Sequence, residues 1–216
     1  MSEIVFLPNV RLSFPKLIEA TASQPGADPK FSADFIMAPN NPAFAQFMGE
    51  VGKLATEKWK EHATAVLQVV QTDRKLRCFG NGAEKIDKKT YKPYNGYEGM
   101  VYISANSNAD RPPKMIKPDG AEATADMERL ALARKLYGGC YVDAAVRCWP
   151  QDNQFGRAIR CELIAVQFKT DGEAFGEAPP DVTGMFGAAP AAAAAPAAAP
   201  AAALAAFPSF FGLPQQ

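Results

Sequence analysis

From Cys140 to Trp149 the chain alternates without a break, and a pattern of period two is the signature of an extended strand. Cys140, Val142, Ala144, Val146 and Cys148 fall on one side and predict a core-facing row. Tyr141, Asp143, Ala145, Arg147 and Trp149 fall on the other. That second row places a cation between two aromatic side chains, an arrangement a merely solvated face has little reason to carry. Aromatic planes beside a cation suit the holding of unpaired bases and their phosphates.

Other segments repeat the alternation. Ile4 to Phe14 reads as a strand region interrupted by Pro8, with Pro15 marking an edge or an end. Phe31 to Met37 alternates. Met100 to Asn106 sets Val101, Ile103 and Ala105 inward and Tyr102, Ser104 and Asn106 outward. The last strand runs from Ala158 to Phe168, after a connector PQDNQFG. One strong helix opens at Asn41-Pro42, where Asn caps the first amides and Pro loses no hydrogen bond. Phe44, Phe47, Met48, Val51, Leu54 and Ala55 form its apolar stripe. A short helix spans Asp126 to Leu136 and stops before Gly138. Thr21–Pro29, Gly80–Gly99 and Asn108–Gly120 read as loops. The inventory predicts a β-rich α+β domain, an OB-fold-like five-stranded Greek-key barrel with helical and loop insertions.

The domain is expected to occupy residues 1–175. From Gly176 to Gln216 proline interrupts every alanine run, and apolar bulk returns only at Phe207 to Leu213. Such a segment cannot offset its ordering entropy, so residues 176–216 are expected to form a disordered Ala/Pro-rich tail. Phe207, Phe210, Phe211 and Leu213 at its end are candidates for docking a protein partner. No signal peptide precedes the first strand and no apolar run has spanning length, so a cytoplasmic protein without a membrane is expected.

The 216 residues carry 23 basic and 23 acidic side chains. With no global basic field, any contact with phosphate has to come from local clusters. Cys78, Cys140, Cys148 and Cys161 include no C-x-x-C pair, and the one histidine, His62, lies apart from them. They read as small buried hydrophobes rather than metal ligands. No nucleophile–base pair, carboxylate pair or phosphate loop is visible, and GNG at Gly80–Gly82 lacks the following Gly and helix of a dinucleotide site. The expected protein is therefore not an enzyme and uses no cofactor or metal.

Cations and aromatics interleave in four places. Arg77 precedes Phe79. Lys88, Lys89, Tyr91, Lys92, Tyr94 and Tyr97 share one polar loop. Tyr102 lies near Arg111 and Lys114 in sequence. Tyr141, Arg147 and Trp149 continue across the connector to Phe155, Arg157 and Arg160. All are candidate nucleic-acid contacts.

Several pieces together resemble the single-stranded DNA-binding proteins of tailed phages. They are Arg11-Leu12-Ser13-Phe14-Pro15, Phe31-Ser32-Ala33-Asp34-Phe35, Gly96-Tyr97-Glu98-Gly99 with Tyr102-Ile103-Ser104-Ala105, Arg111-Pro112-Pro113, Tyr137 to Ala144, and Gly156 to Gln167 ending at Asp171-Gly172-Glu173. The resemblance spans most of residues 4–175. It implies an OB-fold that coats unpaired DNA during phage replication or recombination. It also implies single-stranded DNA as partner; replication or recombination proteins reached through the tail, and another copy of the chain, are further candidate partners. Proteins of this kind often end in an acidic tail, whereas this one has only Glu177 and Asp181 after Gly176. Two other uses of the same residues stay open: annealing of complementary strands, and a phage assembly role in which the aromatic face is a subunit interface.

Overall fold

The computed structural model describes residues 2–176. Its first strand, β1 (Val5–Thr21), runs on through both prolines that the sequence marks as breaks. The other strands are β2 (Lys30–Met37), β3 (Phe79–Asn81), β4 (Val101–Asn108), β5 (Lys114–Ile116), β6 (Tyr141–Asn153) and β7 (Gly156–Thr170). Pairing of β1 slips between Leu7 and Val10 against β6, and between Ser13 and Lys16 against β2. Asn9 and Phe14 take φ of 50° and 47° there. A bulge leaves ladder positions unpaired, so each proline sits where no hydrogen bond is demanded of it. Bent in this way, β1 pairs with β6 through its first half and with β2 through its second.

The sheet order is β3-β4-β2-β1-β6-β7-β5. One further parallel pairing, Asn106 with Glu162, joins β4 to β7. Thus β4, β2, β1, β6 and β7 follow one another and return to their start. β5 lies in the segment Asn108–Gly120 expected to be loop, and it forms because it pairs parallel to β7 at Ala165–Gln167. The expected connector is likewise absorbed into the strands. Asn153 pairs with Gly156, leaving Gln154 and Phe155 as a two-residue turn, with Asn153 Oδ1 accepting from the Phe155 amide at 3.0 Å.

α1 (Pro42–Trp59) starts as its sequence indicates, with Asn41 Oδ1 accepting from the Ala43 amide at 2.8 Å. Its stripe buries Phe47, Val51, Leu54 and Ala55, and adds Trp59. After one tight turn containing His62 comes α2 (Ala63–Thr72), which the sequence reading passes over. α3 (Asp126–Ala133) is shorter than expected and buries none of its side chains.

Inside the ring, the Cys140–Cys148 row is at most 1% exposed and packs with Leu7, Leu12, Phe35, Phe47 and Ile103. The opposite face of β2 and β4 carries a second, smaller core of Ile36, Tyr97 and Tyr102. β2 is therefore buried on both sides. All four cysteines are free and buried. Among the described residues no helix is long and apolar enough to cross a membrane.

Past Thr170 the chain folds back. Tyr137 Oη donates to the Gly172 carbonyl at 2.8 Å, and the Phe175 amide donates to the Gly138 carbonyl at 2.9 Å. Arg11 holds the Glu173 carbonyl at 2.6 Å and places its guanidinium 4.3 Å from the Phe175 ring centre. Gly139, at φ 113°, makes this approach possible, since a Cβ there would sit 2.1 Å from the Glu173 oxygen. The tail and its candidate docking residues Phe207, Phe210, Phe211 and Leu213 lie outside the described residues.

Candidate nucleic-acid interface

Across the outer face where β4, β7 and β6 meet runs an open cleft of about 630 Å³. Its walls carry five cations, Lys30, Arg77, Arg111, Arg147 and Arg160, against one acid, Glu162. Trp149 stands at the rim, 42% exposed. Strand alternation explains the wall: Arg147 and Trp149 are outward residues of β6, and Arg160 and Glu162 of β7 lie opposite them in register. Ser104, Asn106 and Asn108 are the corresponding residues of β4. Cys78, Ser107 and Cys161 are the buried members of the lining; Cys78 and Cys161 belong to the interior core, and Ser107 shares the inward row of Ile103 and Ala105.

The cations are not equivalent. Arg147 is held by Glu162 through Nη2 at 2.6 Å and Nε at 3.0 Å. Arg77 is nine-tenths buried and pairs with Glu84 at 2.7 Å. Among the described residues Arg160 has no acidic partner; it donates to the Lys75 carbonyl at 2.8 Å and to Gln151 Oε1 at 3.2 Å. Arg111 has, among the described residues, one 4.0 Å contact, with its neighbour Asp110, both widely exposed. The positive field of the cleft thus comes from Lys30, Arg111 and Arg160, while Arg77 and Arg147 are oriented by carboxylates.

Of the four places where cations and aromatics interleave, the structure joins parts of three. Arg77, Arg111, Arg147, Trp149 and Arg160 line one cleft. Other candidates are corrected. Phe79 is core, packed edge-on to Phe47 at 6.0 Å between ring centres. Tyr97 is fully buried, and burial together with the Asp34 carboxylate pushes its hydroxyl far above the ordinary tyrosine range. Tyr102 is buried beneath Lys85, whose ammonium lies 4.5 Å from its ring centre. None of these three can offer a face to a base.

Tyr141 is separated from Trp149 by most of a strand. It packs against Gly172, with Arg11 5.6 Å from its ring centre. Between them Asp143 is buried and paired with Lys169 at 3.0 Å, so the expected outer row is not one continuous platform. Lys88, Lys89, Tyr91 and Lys92 are exposed on a loop pinned by the Ile86–Pro93 bridge, and they do not line the cleft. Tyr94 packs edge-on to Phe14 at 5.0 Å. Lys114 pairs with Glu122 at 2.6 Å on β5. Phe155 and Arg157 border a separate apolar groove with Val66, Val69 and Leu76 of the α2 side.

The sequence reading misses Lys30, Asn106, Asn108, Ser107 and Gln151. The polar alternation Ser104-Asn106-Asn108 is a usable signal for the β4 wall. Lys30 gives none, being a lone cation at a strand start. Among the described residues no cluster of His, Cys, Asp or Glu could hold a metal.

The β-rich fold with a few helices is similar to those of solved phage single-stranded DNA-binding proteins. The protein of bacteriophage Enc34 in complex with ssDNA aligns with a TM-score of 0.62 at 24% identity, over 80% of this chain and 89% of that one. The same protein without DNA aligns at 0.58 and 24% identity, over 83% of this chain and 88% of that one. Likeness at that identity speaks for the fold. The family description "Enterobacter phage Enc34, ssDNA-binding protein" matches residues 3–192, and the chain belongs to this family. A relative, protein p50 of Acyrthosiphon pisum secondary endosymbiont phage 1, is 30% identical over 171 residues, covering 78% of this chain and 84% of that protein.

Proposed function

We propose that the chain is a non-enzymatic single-stranded DNA-binding protein that coats unpaired DNA during phage replication, recombination or repair in the host cytoplasm. The observation that carries this reading is the cleft: three cations with no hydrogen-bonded carboxylate among the described residues, two more held in place, and one exposed tryptophan at the rim, in a member of the Enc34 family. Lys30, Arg111 and Arg160 attract phosphates, and Trp149 offers its ring to a base. Membership of the family and the pairing of β4 with β7 support reading β1, β2, β4, β6 and β7 as an OB-like five-stranded Greek-key barrel. Residues 1–175 are the DNA-binding domain, and 176–216 are a tail whose Phe207, Phe210 and Phe211 engage a replication or recombination protein.

Titration with oligo-dT, followed by tryptophan fluorescence at two salt concentrations with duplex as control, tests the proposal. Quenching and an affinity that falls with salt are expected. No binding at low salt refutes it. Trp59 is buried, with its Nε1 donating to Asp152 at 2.9 Å, so the responding fluorophore is Trp149.

A further inference from the structure

We infer that two copies of this chain associate through the tip of the β6–β7 hairpin, the Phe155 of each seated in an apolar groove of the other. The groove holds about 440 Å³ and lies between that tip and α2. Val66, Val69 and Leu76 line it, with Phe155 at its edge. Two of these side chains face solvent: Phe155 is 78% exposed and Val69 58%. Apolar residues exposed singly are ordinary, but an aromatic knob beside an aliphatic groove has the makeup of an interface centre.

The knob is held in place. Gln154 and Phe155 form a two-residue turn whose flanks are tied to the helical side of the domain. Asp152 accepts from Trp59 Nε1 at 2.9 Å and lies 3.5 Å from Arg157 Nε. Arg160 donates at 2.8 Å to the carbonyl of Lys75, in the turn Arg74–Leu76 that follows α2. Hairpin tip and groove therefore keep one geometry, and an aromatic presented in this way loses little freedom on binding.

Charge points to a second copy as the occupant. α2 has no acidic or basic residue among its ten, ATAVLQVVQT. The titratable groups lining the groove among the described residues are Arg157 and His62, and each has an acid beside it, Asp152 at 3.5 Å and Glu61 at 3.7 Å. A patch of one sign would repel its own copy, whereas this one brings no unbalanced like charges together. The whole chain carries 23 basic and 23 acidic side chains, so no net charge keeps copies apart. Shape agrees with charge. A contact with twofold symmetry requires one patch to carry both complementary parts, and here knob and groove lie side by side.

Sedimentation equilibrium of the full chain without DNA, over a concentration series, tests the inference independently of what the cleft binds. Monomer and dimer in exchange are expected. Phe155→Lys and Val69→Asp should each weaken the dimer about thirtyfold or more, the effect of losing a central anchor. Both positions are exposed, so thermal melting should stay close to that of the unaltered chain. Mixed in equal amounts, the two variants should form a dimer again. One of its two contacts then joins the introduced lysine to the introduced aspartate, and the other is unaltered. A monomer at every concentration, a dimer that survives both substitutions, or a mixture that stays monomeric overturns the inference. So does a dimer abolished by Phe210→Ser with Phe211→Ser, which would assign the groove to the tail, and so does growth beyond two copies.

Discussion

The hydroxyl of Tyr97 donates to Asp34 Oδ2 at 2.7 Å, in a pocket that buries the tyrosine completely and leaves the aspartate little exposed. Lys85 approaches the same carboxylate oxygen at 2.7 Å. This triad pins the loop between β3 and β4 onto the outer face of β2. Aromatic character in that loop is used to build a second core rather than a binding surface. Tyr97→Phe should therefore cost about 1–3 kcal/mol of stability, since a buried carboxylate loses a donor. Chemical denaturation measures it, and oligo-dT affinity at a fixed folded fraction should not change.

Trp149 should behave oppositely. It stands at the rim with no described hydrogen-bond partner to lose. Trp149→Ala is expected to weaken oligo-dT binding by about 1–3 kcal/mol, the worth of one stacked base. Thermal melting should stay close to that of the unaltered chain. Unchanged affinity removes Trp149 from the interface.

Glu162 restrains the cleft. Its carboxylate holds Arg147 at 2.6 Å and is the sole acid in the lining among the described residues. Glu162→Gln releases that cation toward phosphate. Tighter binding is expected, with the slope of log affinity against log salt steeper by about 0.7, the single-strand value for one more phosphate contact. Titrations over a salt series give the slope directly.

The thiols make an alkaline prediction. Burial pushes Cys140 up to about 11 and Cys148 up to about 12, and also raises Cys161. Their folded pKa values lie above the unfolded thiol range, so the folded state keeps protons that the unfolded chain releases. This stability is fully present below about pH 8.5 and is lost as pH rises toward the folded values. Denaturation midpoints should fall from pH 8.5 upward. At neutral pH a thiol reagent should react slowly with the native protein and quickly with the unfolded one.

The sequence made the strand inventory and the core row of β6 legible because period two survives any tertiary context. It also showed the start of α1, where Asn41 and Pro42 act locally. The prolines misled because a proline forbids a ladder hydrogen bond, not a strand, and the bulges at Leu7–Val10 and Ser13–Lys16 arise from pairing with distant residues. β5 was invisible for the same reason, since its partner lies about fifty residues on in β7. At the site, Arg147, Trp149 and Arg160 were readable as outward residues of one hairpin. Phe79, Tyr97 and Tyr102 were not separable from them, because an aromatic on an outer face looks alike whether a loop covers it or not. Lys30 enters the cleft only through the meeting of β2, β4 and β7.

That meeting has a mechanical consequence. β4 and β7 close the ring through a single residue pair, Asn106 with Glu162, directly under the cleft. A strand of DNA held by Arg160 on one bank and by the polar residues of β4 on the other is a suture across this seam. The bound polymer then helps to hold the ring closed, and amides flanking Asn106 and Glu162 should be the ones whose exchange with solvent slows most when it is present.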